Sequence, residues 1–414
     1  MIDFKKFRLE NGLIVLAHED RSTPLTALNL LYGVGSRNEN PDMTGIAHLL
    51  EHLMFCGTEN VPAFDQPLQM AGGENNAFTN NDITNYYLTV PAENIETGFW
   101  LESDRMNGLN FAQNTLDIQK KVVIEEFNQR YLNQPYGDSM LLLRPLAYTT
   151  HPYRWPTIGI GVSHIESIEL DHVKDFFNRY YSPENAILAI TGNISPDRAY
   201  SLADKWFGPI EQRKTVSQAI PPEPLQEKAR NLRIEKDVPI DALYKAWHIC
   251  GRRENDFFTL DLLTDLLAGG ESGRLHSKLV RGKNLFSEIN AYLSSDIDPG
   301  LLILSGRLMK GVNISEAEQN VNLVIDELRN GIITPEEMEK VKNRFESSLV
   351  ISNTSILNKA MNLAYYELLG DPYLVNLEAV KYRAVTREMV RDAAISYLND
   401  NNCSTLYYLS KNTK

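Results

Sequence analysis

Two histidines and a glutamate within one pentapeptide are the residues best suited to chemistry in this chain. The segment 48–52 reads His-Leu-Leu-Glu-His, with the reactive side chains at His48, Glu51 and His52. Residues three and four positions apart share one face of a helix, so the imidazoles and the carboxylate would lie side by side. Two imidazoles are half of a typical zinc site, and the carboxylate is suited to be a general base. The pattern predicts a catalytic metal centre; the alternative is a helix that carries two histidines by chance.

The residues around this pentapeptide predict a buried helix, which favours the metal site. Its apolar positions are Ile46, Ala47, Leu49, Leu50, Leu53, Met54 and Phe55. A helix that is apolar on most faces is usually buried. Burying two histidines and a glutamate without partners would be costly, and a metal ion removes that cost by binding the ring nitrogens.

A catalytic zinc ion needs three protein ligands and one open position, so a third ligand must come from elsewhere. Residues 117–128 predict an amphipathic helix that continues to about Pro135 and contains Glu125 and Glu126. From the spacing alone, either glutamate is a candidate ligand, and both are equally typical of a charged helix surface.

The segment that contains Asn76, Ala77 and Phe78 is a candidate peptide-binding element. It follows a glycine- and asparagine-rich turn and precedes a run of strand-forming residues that ends near Val90. An extended peptide can pair with an exposed edge strand by β-augmentation. The alternative is an interior hairpin without a free edge.

These segments together resemble the pitrilysin/insulinase family of zinc metallopeptidases, the inverzincins, whose His-x-x-Glu-His order reverses that of other zinc peptidases. The match runs through the metal helix, the Asn-Ala-Phe-Thr segment with its Thr-Asn-Tyr-Tyr continuation, and the Val-Val-Ile-Glu-Glu run. The resemblance implies that His48, His52 and Glu126 bind one Zn²⁺ ion per chain. It also implies that Glu51 activates water. In the mechanism that we predict, the substrate peptide lies extended along residues 76–78.

The third ligand and its surroundings are also interpreted through the resemblance. It selects Glu126 over Glu125 because the family's ligand is the last residue of a Val-Ile-x-x-Glu-like run. The family often has another acid one or two turns earlier, and this chain has Gln119 seven residues before Glu126. The groups that support the ligand are therefore expected to differ, with an effect on metal affinity.

The second half of the chain departs from the family pattern at one position. Active members contribute an arginine followed seven residues later by a tyrosine. Here the arginine is Arg281, which the resemblance implies is a catalytic residue, but the tyrosine position is Glu288. Tyr292 replaces the tyrosine, or nothing does, or a partner subunit supplies the pair.

Composition sets the broad class of the protein. A chain of 414 residues exceeds one typical core and indicates two or more domains. A formal net charge of −13 argues against nucleic acid as a partner. The amino terminus has no signal-peptide core, and no apolar run is long enough to span a membrane.

Three widely spaced cysteines, Cys56, Cys250 and Cys403, are typical of a reducing compartment, so a cytoplasmic location is expected. Cys56 follows His52 by four residues, which makes it a conceivable extra ligand or an oxidation-sensitive thiol. The favoured interpretation is a small buried hydrophobic residue.

The chain contains the same order of elements twice. In each half a strand leads through a polar turn into a helix, and a later helix leads into a last strand. The matching segments are 25–35 and 242–251, 172–181 and 390–398, and 186–191 and 404–409. A repeat of this kind implies two similar α+β domains. The second copy of the first helix, residues 257–267, has no histidine, so only the first domain can hold this metal site.

Residues 212–224 are polar and proline-rich, as in an interdomain linker. We therefore predict a zinc-binding catalytic domain at 1–210, a linker at 211–235 and a second homologous domain without a metal site at 236–414. The resemblance implies that each domain is a mainly antiparallel sheet faced by helices. It also implies that chains of this length form a homodimer, or a heterodimer with a related subunit, that encloses a chamber.

The sequence thus predicts a zinc metalloendopeptidase that hydrolyses peptides or unfolded polypeptide segments inside such a chamber. Glu51 would take a proton from water and deliver it to the leaving amine, and Arg281 or a tyrosine would stabilise the oxyanion. The alternative is a non-catalytic or partner-dependent subunit of such an assembly. The intact ligand set argues against that alternative, whereas the missing tyrosine argues weakly for it. A zinc hydrolase acting on another class of bond is a third option that no residue favours.

Overall fold

Two mainly antiparallel sheets, each packed against helices, organise the chain in the computed structural model, which describes residues 1–213, 219–294 and 296–411. The strands of the first sheet are β1 (Lys5–Arg8), β2 (Ile14–Glu19), β3 (Leu25–Tyr32), β4 (Glu74–Thr79), β5 (Thr84–Pro91) and β6 (Ala186–Gly192). Those of the second sheet are β7 (Arg230–Lys236), β8 (Ala242–His248), β9 (Phe286–Leu293), β10 (Leu301–Leu308) and β11 (Cys403–Ser410).

The helices occupy most of the chain between these strands. In chain order they are α1 (Ile46–Leu53), α2 (Asp65–Met70), α3 (Ile95–Asn107), α4 (Gln113–Phe127), α5 (Ser139–Ala147), α6 (Val162–Ser167), α7 (Leu170–Tyr180), α8 (Pro196–Phe207), α9 (Asp256–Ala268), α10 (Ile314–Arg329), α11 (Pro335–Ser352), α12 (Ile356–Leu369), α13 (Glu378–Ala384) and α14 (Arg387–Tyr397).

The order of strands shows the internal duplication directly. The first sheet runs β1-β2-β6-β3-β5-β4, and the second runs β7-β11-β8-β10-β9. In each sheet one pair is parallel, β2 with β6 and β7 with β11, and the other pairs are antiparallel. The predicted α+β class, with two similar domains built from antiparallel sheets and helices, is confirmed.

The chain divides into two compact units that are discontinuous in sequence. Unit 1 comprises residues 1–127, 155–220 and 350–377, and unit 2 comprises 128–154, 221–349 and 378–414, within the described residues. Helix α12, from the second half of the chain, therefore belongs to unit 1. Helix α5, from the first half, belongs to unit 2, where it packs on β8 and β11.

The predicted domain and linker boundaries stay a prediction. Of the predicted linker 211–235, residues 214–218 lie outside the described residues, and 230–235 form most of β7.

Helix α12 completes the core on one face of the first sheet. Ala27 and Leu31, four residues apart on β3, pack in one buried cluster with Ala360 and Leu363 of α12. An even spacing places both side chains on the same face of the strand, as expected where a strand faces a helix. The cluster holds β3 and β6 at the centre of the sheet, and β5 and β4 continue the sheet outward from β3.

Candidate active site

Helix α1 presents the two histidines and the glutamate of the pentapeptide from one side. Leu49 and Leu50 are fully buried, whereas His48, Glu51 and His52 are partly exposed. The two imidazole rings lie with their centroids 4.8 Å apart. Burial of the leucines fixes the rotation of α1, so the polar side chains must point away from the core together.

Helix α4 packs against α1 and brings Glu126 to the histidines. Glu126 Oε2 lies 3.7 Å from Nε2 of His48 and 3.7 Å from Nε2 of His52. Ligands of a tetrahedral zinc ion are about 3.4 Å apart, given bonds of about 2.1 Å. Two imidazole nitrogens and one carboxylate oxygen are also a donor set that catalytic zinc sites use. The three residues therefore fit a zinc ion.

No second group of this kind occurs in the part of the chain that the structure describes. Among residues 1–213, 219–294 and 296–411, only His48, His52 and Glu126 form a set of three histidine, cysteine or acidic residues whose ligand atoms all lie within 4.8 Å of one another. Glu125, the other candidate from the spacing, is outside this set, and its side chain is exposed.

Glu51 is held from the neighbouring strand by Thr79. The Thr79 hydroxyl donates a hydrogen bond of 2.5 Å to Oε2 of Glu51. Burial raises the pKa of the Glu51 carboxyl, the charge of Glu126 adds to the rise, and the bond from Thr79 opposes it. A carboxylate with a raised pKa beside a metal-binding cluster is a candidate general base.

The strand that ends at Thr79 is an edge strand, not part of an interior hairpin. Within the described residues, β4 pairs with β5 alone. Asn76 and Phe78 are exposed and Ala77 between them is half-buried, and Phe78 exposes 39% of its surface. An exposed strand edge offers its backbone groups to a further extended chain. The three residues predicted to bind substrate therefore lie on a free edge that leads to Glu51.

Two family models match this chain over most of its length. The model described as insulinase (peptidase family M16) matches residues 14–144, which include the helix motif and Glu126. The model described as peptidase M16 inactive domain matches residues 167–345. The chain belongs to peptidase family M16.

Curated M16 relatives align with nearly the whole chain. The zinc protease PqqE of Helicobacter pylori is 29% identical over 406 residues, covering 96% of this chain and 91% of PqqE. The uncharacterised zinc protease YmxG of Bacillus subtilis is 27% identical, covering 88% of each chain.

Solved M16 structures have the same fold. A protease from Helicobacter pylori superposes with a TM-score of 0.93 at 27% identity, over 99% of this chain and 100% of that one. Pitrilysin superposes with a TM-score of 0.75 at 21% identity, and the match covers 99% of this chain but 45% of pitrilysin. The periplasmic protease PqqL of Escherichia coli is likewise covered over 48% of its length. The chain thus corresponds to about half of the two longer proteins.

Gln119, where the M16 pattern often has an acid, contacts Cys56. Its side chain lies near enough to the Cys56 thiol to lower the pKa of that thiol, and the thiol donates to the carbonyl of His52 at 3.5 Å. Burial raises the pKa of this thiol, so it is a poorer ligand than an ordinary cysteine. Cys56 lies outside the set of candidate ligands among the described residues.

The residues of the second M16 half predicted to assist catalysis belong to unit 2. Arg281 lies in a π-helical turn, His276–Gly282, and pairs with Glu271 in an exposed ion pair. Glu288, at the tyrosine position, pairs with Arg307 at 3.1 Å. The hydroxyl of Tyr292 lies 3.5 Å from the sulfur of Met140.

Thr79 is a functional candidate that sequence reasoning about M16 motifs did not assign. It belongs to the Asn-Ala-Phe-Thr segment, and its position at the end of this strand is the one feature of the sequence that could have indicated its role. Its hydroxyl becomes significant only because β4 lies beside α1, a contact that the local sequence does not specify.

Proposed function

We propose that this chain is a zinc-dependent endopeptidase that hydrolyses peptides or unfolded polypeptide segments. The observation that carries the proposal is the convergence of His48, His52 and Glu126 beside Glu51, at the end of a free strand edge. The zinc-protease names of the M16 relatives support the same class of reaction.

In the proposed mechanism, His48, His52 and Glu126 hold the metal and Glu51 moves the proton. When bound, a zinc ion lowers the pKa of its water and polarises the scissile carbonyl. Glu51 accepts the water proton and then donates it to the leaving amine nitrogen. Thr79 keeps the Glu51 carboxylate in one orientation through its hydrogen bond, which reduces the reorganisation needed for each transfer.

Substrate recognition would use the backbone of β4 at Asn76, Ala77 and Phe78. Main-chain hydrogen bonds along a strand edge do not depend on the substrate's side chains, and they require the substrate to be extended. Unfolded segments are therefore the expected substrates.

Arg281 is the proposed oxyanion donor. It now forms an exposed ion pair with Glu271. Exposed ion pairs are worth about 1 kcal/mol or less, so Arg281 can readily leave Glu271 and contact the substrate.

We also propose that the chain acts as a homodimer or with a related subunit, as its half-length match to pitrilysin and PqqL suggests.

No helix among the described residues is both long enough and apolar enough to cross a membrane. The cytoplasmic location expected from the sequence stays a prediction.

The second candidate is a non-catalytic subunit of such an assembly, and Glu288 at the family's tyrosine position favours it. The two candidates differ in whether the metal site is used for hydrolysis. A zinc-loaded chain that fails to cleave an unfolded polypeptide, both alone and with a related subunit from the same organism, would support the non-catalytic role.

The decisive variant for the enzyme is Glu51→Gln. It should bind zinc in the same amount as the wild type and lose hydrolysis of an unfolded fluorogenic polypeptide by at least about 100-fold, because general-base catalysis typically supplies 10²–10⁴. A chelator should abolish wild-type hydrolysis, and added zinc should restore it. The matched control is Glu125→Gln, an exposed glutamate near the site, which should hydrolyse at the wild-type rate. Near wild-type cleavage by Glu51→Gln would refute the assignment of the base.

A further inference from the structure

A buried carboxylate lies outside the proposed metal-binding set, nine residues before His48. Glu39 is 1% exposed. A carboxylate in such a place is costly unless hydrogen bonds compensate for the lost water. Its position therefore needs a physical reason.

The partners of Glu39 are backbone N–H groups at the start of α1. Oε2 accepts from the N–H of Gly45 and Oε1 accepts from the N–H of Ala47, each at 2.9 Å. The first N–H groups of a helix have no partner within the helix, and a carboxylate there also interacts favourably with the helix dipole. Burial raises the pKa of the Glu39 carboxyl, and the Trp155 indole N–H, which donates to the carbonyl of Ser36 at 2.9 Å, lies near enough to oppose part of that rise.

Helix α1 cannot supply this cap itself. Its N-cap residue is Gly45, at φ +98°, and an added Cβ would lie 2.6 Å from the carbonyl oxygen of Ile158. Glycine is therefore required by both the backbone angle and the close approach, and glycine has no side chain to accept a hydrogen bond. The cap has to come from another segment, and Glu39 provides it.

The loop that carries Glu39 is itself fixed to the turn between β4 and β5. The N–H of Ser36 donates to the carbonyl of Asn80 at 3.1 Å, and Arg37 pairs with Asp82 at 2.8 Å. Glu39 therefore connects the start of α1 to the same hairpin that carries the proposed substrate edge.

The cap matters for the metal centre because α1 is only eight residues long and His48 is its third residue. So short a helix depends on tertiary contacts for its stability. If the first turn opened, the His48 ring would move, whereas the second turn with Glu51 and His52 would move less.

We propose that Glu39 is a positioning residue of the metal centre, whose carboxylate fixes the first turn of α1 and so holds His48 in place to bind zinc. The inference rests on the proposed function, because it assigns a role toward the same zinc site. Glu39 acts through the backbone of Gly45 and Ala47, whose N–H groups it accepts from.

The test compares Glu39→Gln and Glu39→Ala in the full chain. Glutamine keeps the size of the side chain, but only its oxygen can accept, so one of the two N–H groups loses its partner. Three quantities are measured: the zinc Kd by competition with a chromophoric chelator, the visible absorption of the Co²⁺-loaded chain, and the Tm without metal. Zinc should bind at least about tenfold more weakly to both variants. A loss of this size is typical when a residue that holds a metal ligand in place is removed. The Co²⁺ absorption should also change, because the ligand geometry changes.

The matched control is Asn11→Ala, a buried polar residue elsewhere in unit 1. Its amide donates to the carbonyls of Phe207 at 2.7 Å and Ile210 at 3.0 Å, at the end of α8. This variant should lower the Tm but leave the zinc Kd and the Co²⁺ spectrum as in the wild type.

A wild-type zinc Kd and Co²⁺ spectrum in both Glu39 variants, whatever their Tm, would overturn the inference and leave Glu39 a purely structural cap. If Glu39→Ala fails to fold, the zinc Kd and the Co²⁺ spectrum of Glu39→Gln alone test the inference. Failure of the proposed function has a different signature, because a wild-type chain that binds zinc tightly and cleaves nothing would refute the endopeptidase and leave the role of Glu39 intact.

Discussion

At the scale of single residues, the hydroxyl of Thr79 links the proposed substrate edge, β4, to Glu51, the proposed base. Thr79→Val keeps the shape and the strand preference of the side chain but removes the hydrogen bond to Glu51. Hydrogen bonds to charged groups contribute about 1.5–3 kcal/mol, so we expect kcat to fall by about 10- to 100-fold. Zinc content should not change.

The control for Thr79→Val is Thr89→Val, the same substitution on the adjacent strand β5. Thr89 is paired in register with Glu74 at the far end of β4. Equal losses of kcat in the two variants would mean that the effect arises from the sheet and not from the bond to Glu51.

The identity of the third ligand is a second question at this scale. Glu126→Ala should lose bound zinc, since it removes one of the three proposed ligands, whereas Glu125→Ala should retain zinc because that side chain is exposed outside the cluster. Zinc per chain measured by elemental analysis distinguishes the two. The opposite result would move the ligand by one residue along α4.

At the scale of elements, an ion pair attaches α12 to the end of β2. Nζ of Lys359 lies 2.6 Å from the carboxylate of Asp20, which also accepts from the backbone and hydroxyl of Ser22. These hydrogen bonds, with that from Lys359 the largest, hold the pKa of Asp20 well below its ordinary value. The group therefore stabilises the fold above about pH 4, its ordinary unfolded pKa, and this contribution is lost as the pH falls further.

This linkage gives a pH-dependent prediction. Asp20→Asn should lower the Tm at pH 7, and the difference from the wild type should shrink as the pH is lowered from 5 toward 2. The control is Glu19→Gln, which removes a carboxylate paired with Arg21 on the surface and should change the Tm little at any pH. A difference between wild type and Asp20→Asn that stays constant down to pH 2 would contradict the linkage.

The duplicated elements keep local geometry even where their chemistry differs. In β4 the side-chain oxygen of Asn76 accepts from the N–H of Ala77 at 2.8 Å, and in β9 Asn290 and Ala291 repeat this bond at 2.9 Å. Both β4 and β9 are edge strands of their sheets. The helices that follow β3 and β8 have diverged, because the buried residues of α9 are mostly apolar and the helix has no histidine. The duplication therefore provides two similar scaffolds and one candidate metal site.

At the scale of the whole molecule, each unit includes a helix from the opposite half of the chain. Unit 1 includes α12, whose Ala360, Leu363 and Ala364 are fully buried against the first sheet. A fragment ending at residue 213 would expose this apolar face, so we expect it to be aggregation-prone and to bind a hydrophobic dye. Fusing residues 350–377 to that fragment through a flexible linker should restore solubility and cooperative unfolding by circular dichroism.

The fusion has its own control, in which Leu363 is replaced by aspartate. That variant should behave like the short fragment, because a charge would be buried in the cluster. A soluble, cooperatively folded 1–213 fragment without α12 would show that the first sheet does not depend on the second half of the chain.

Local patterns in the sequence account for several features of the structure. The turn at Gly12 between β1 and β2 has φ +89°, as a hairpin glycine allows. Thr334 and Glu337 form reciprocal capping bonds at the start of α11, as their spacing of three residues allows. These features are set by residues within a few positions of one another, so the sequence contains the information needed.

What the sequence determined by itself was the spacing of His48, Glu51 and His52, the family resemblance and the duplicated order of elements. Tertiary structure alone brought Glu126 to the histidines, Thr79 to Glu51 and α12 into unit 1. The physical reason is distance along the chain. Helical spacing relates residues three or four positions apart, but contacts across tens or hundreds of residues depend on how sheets and helices pack, which no local pattern specifies.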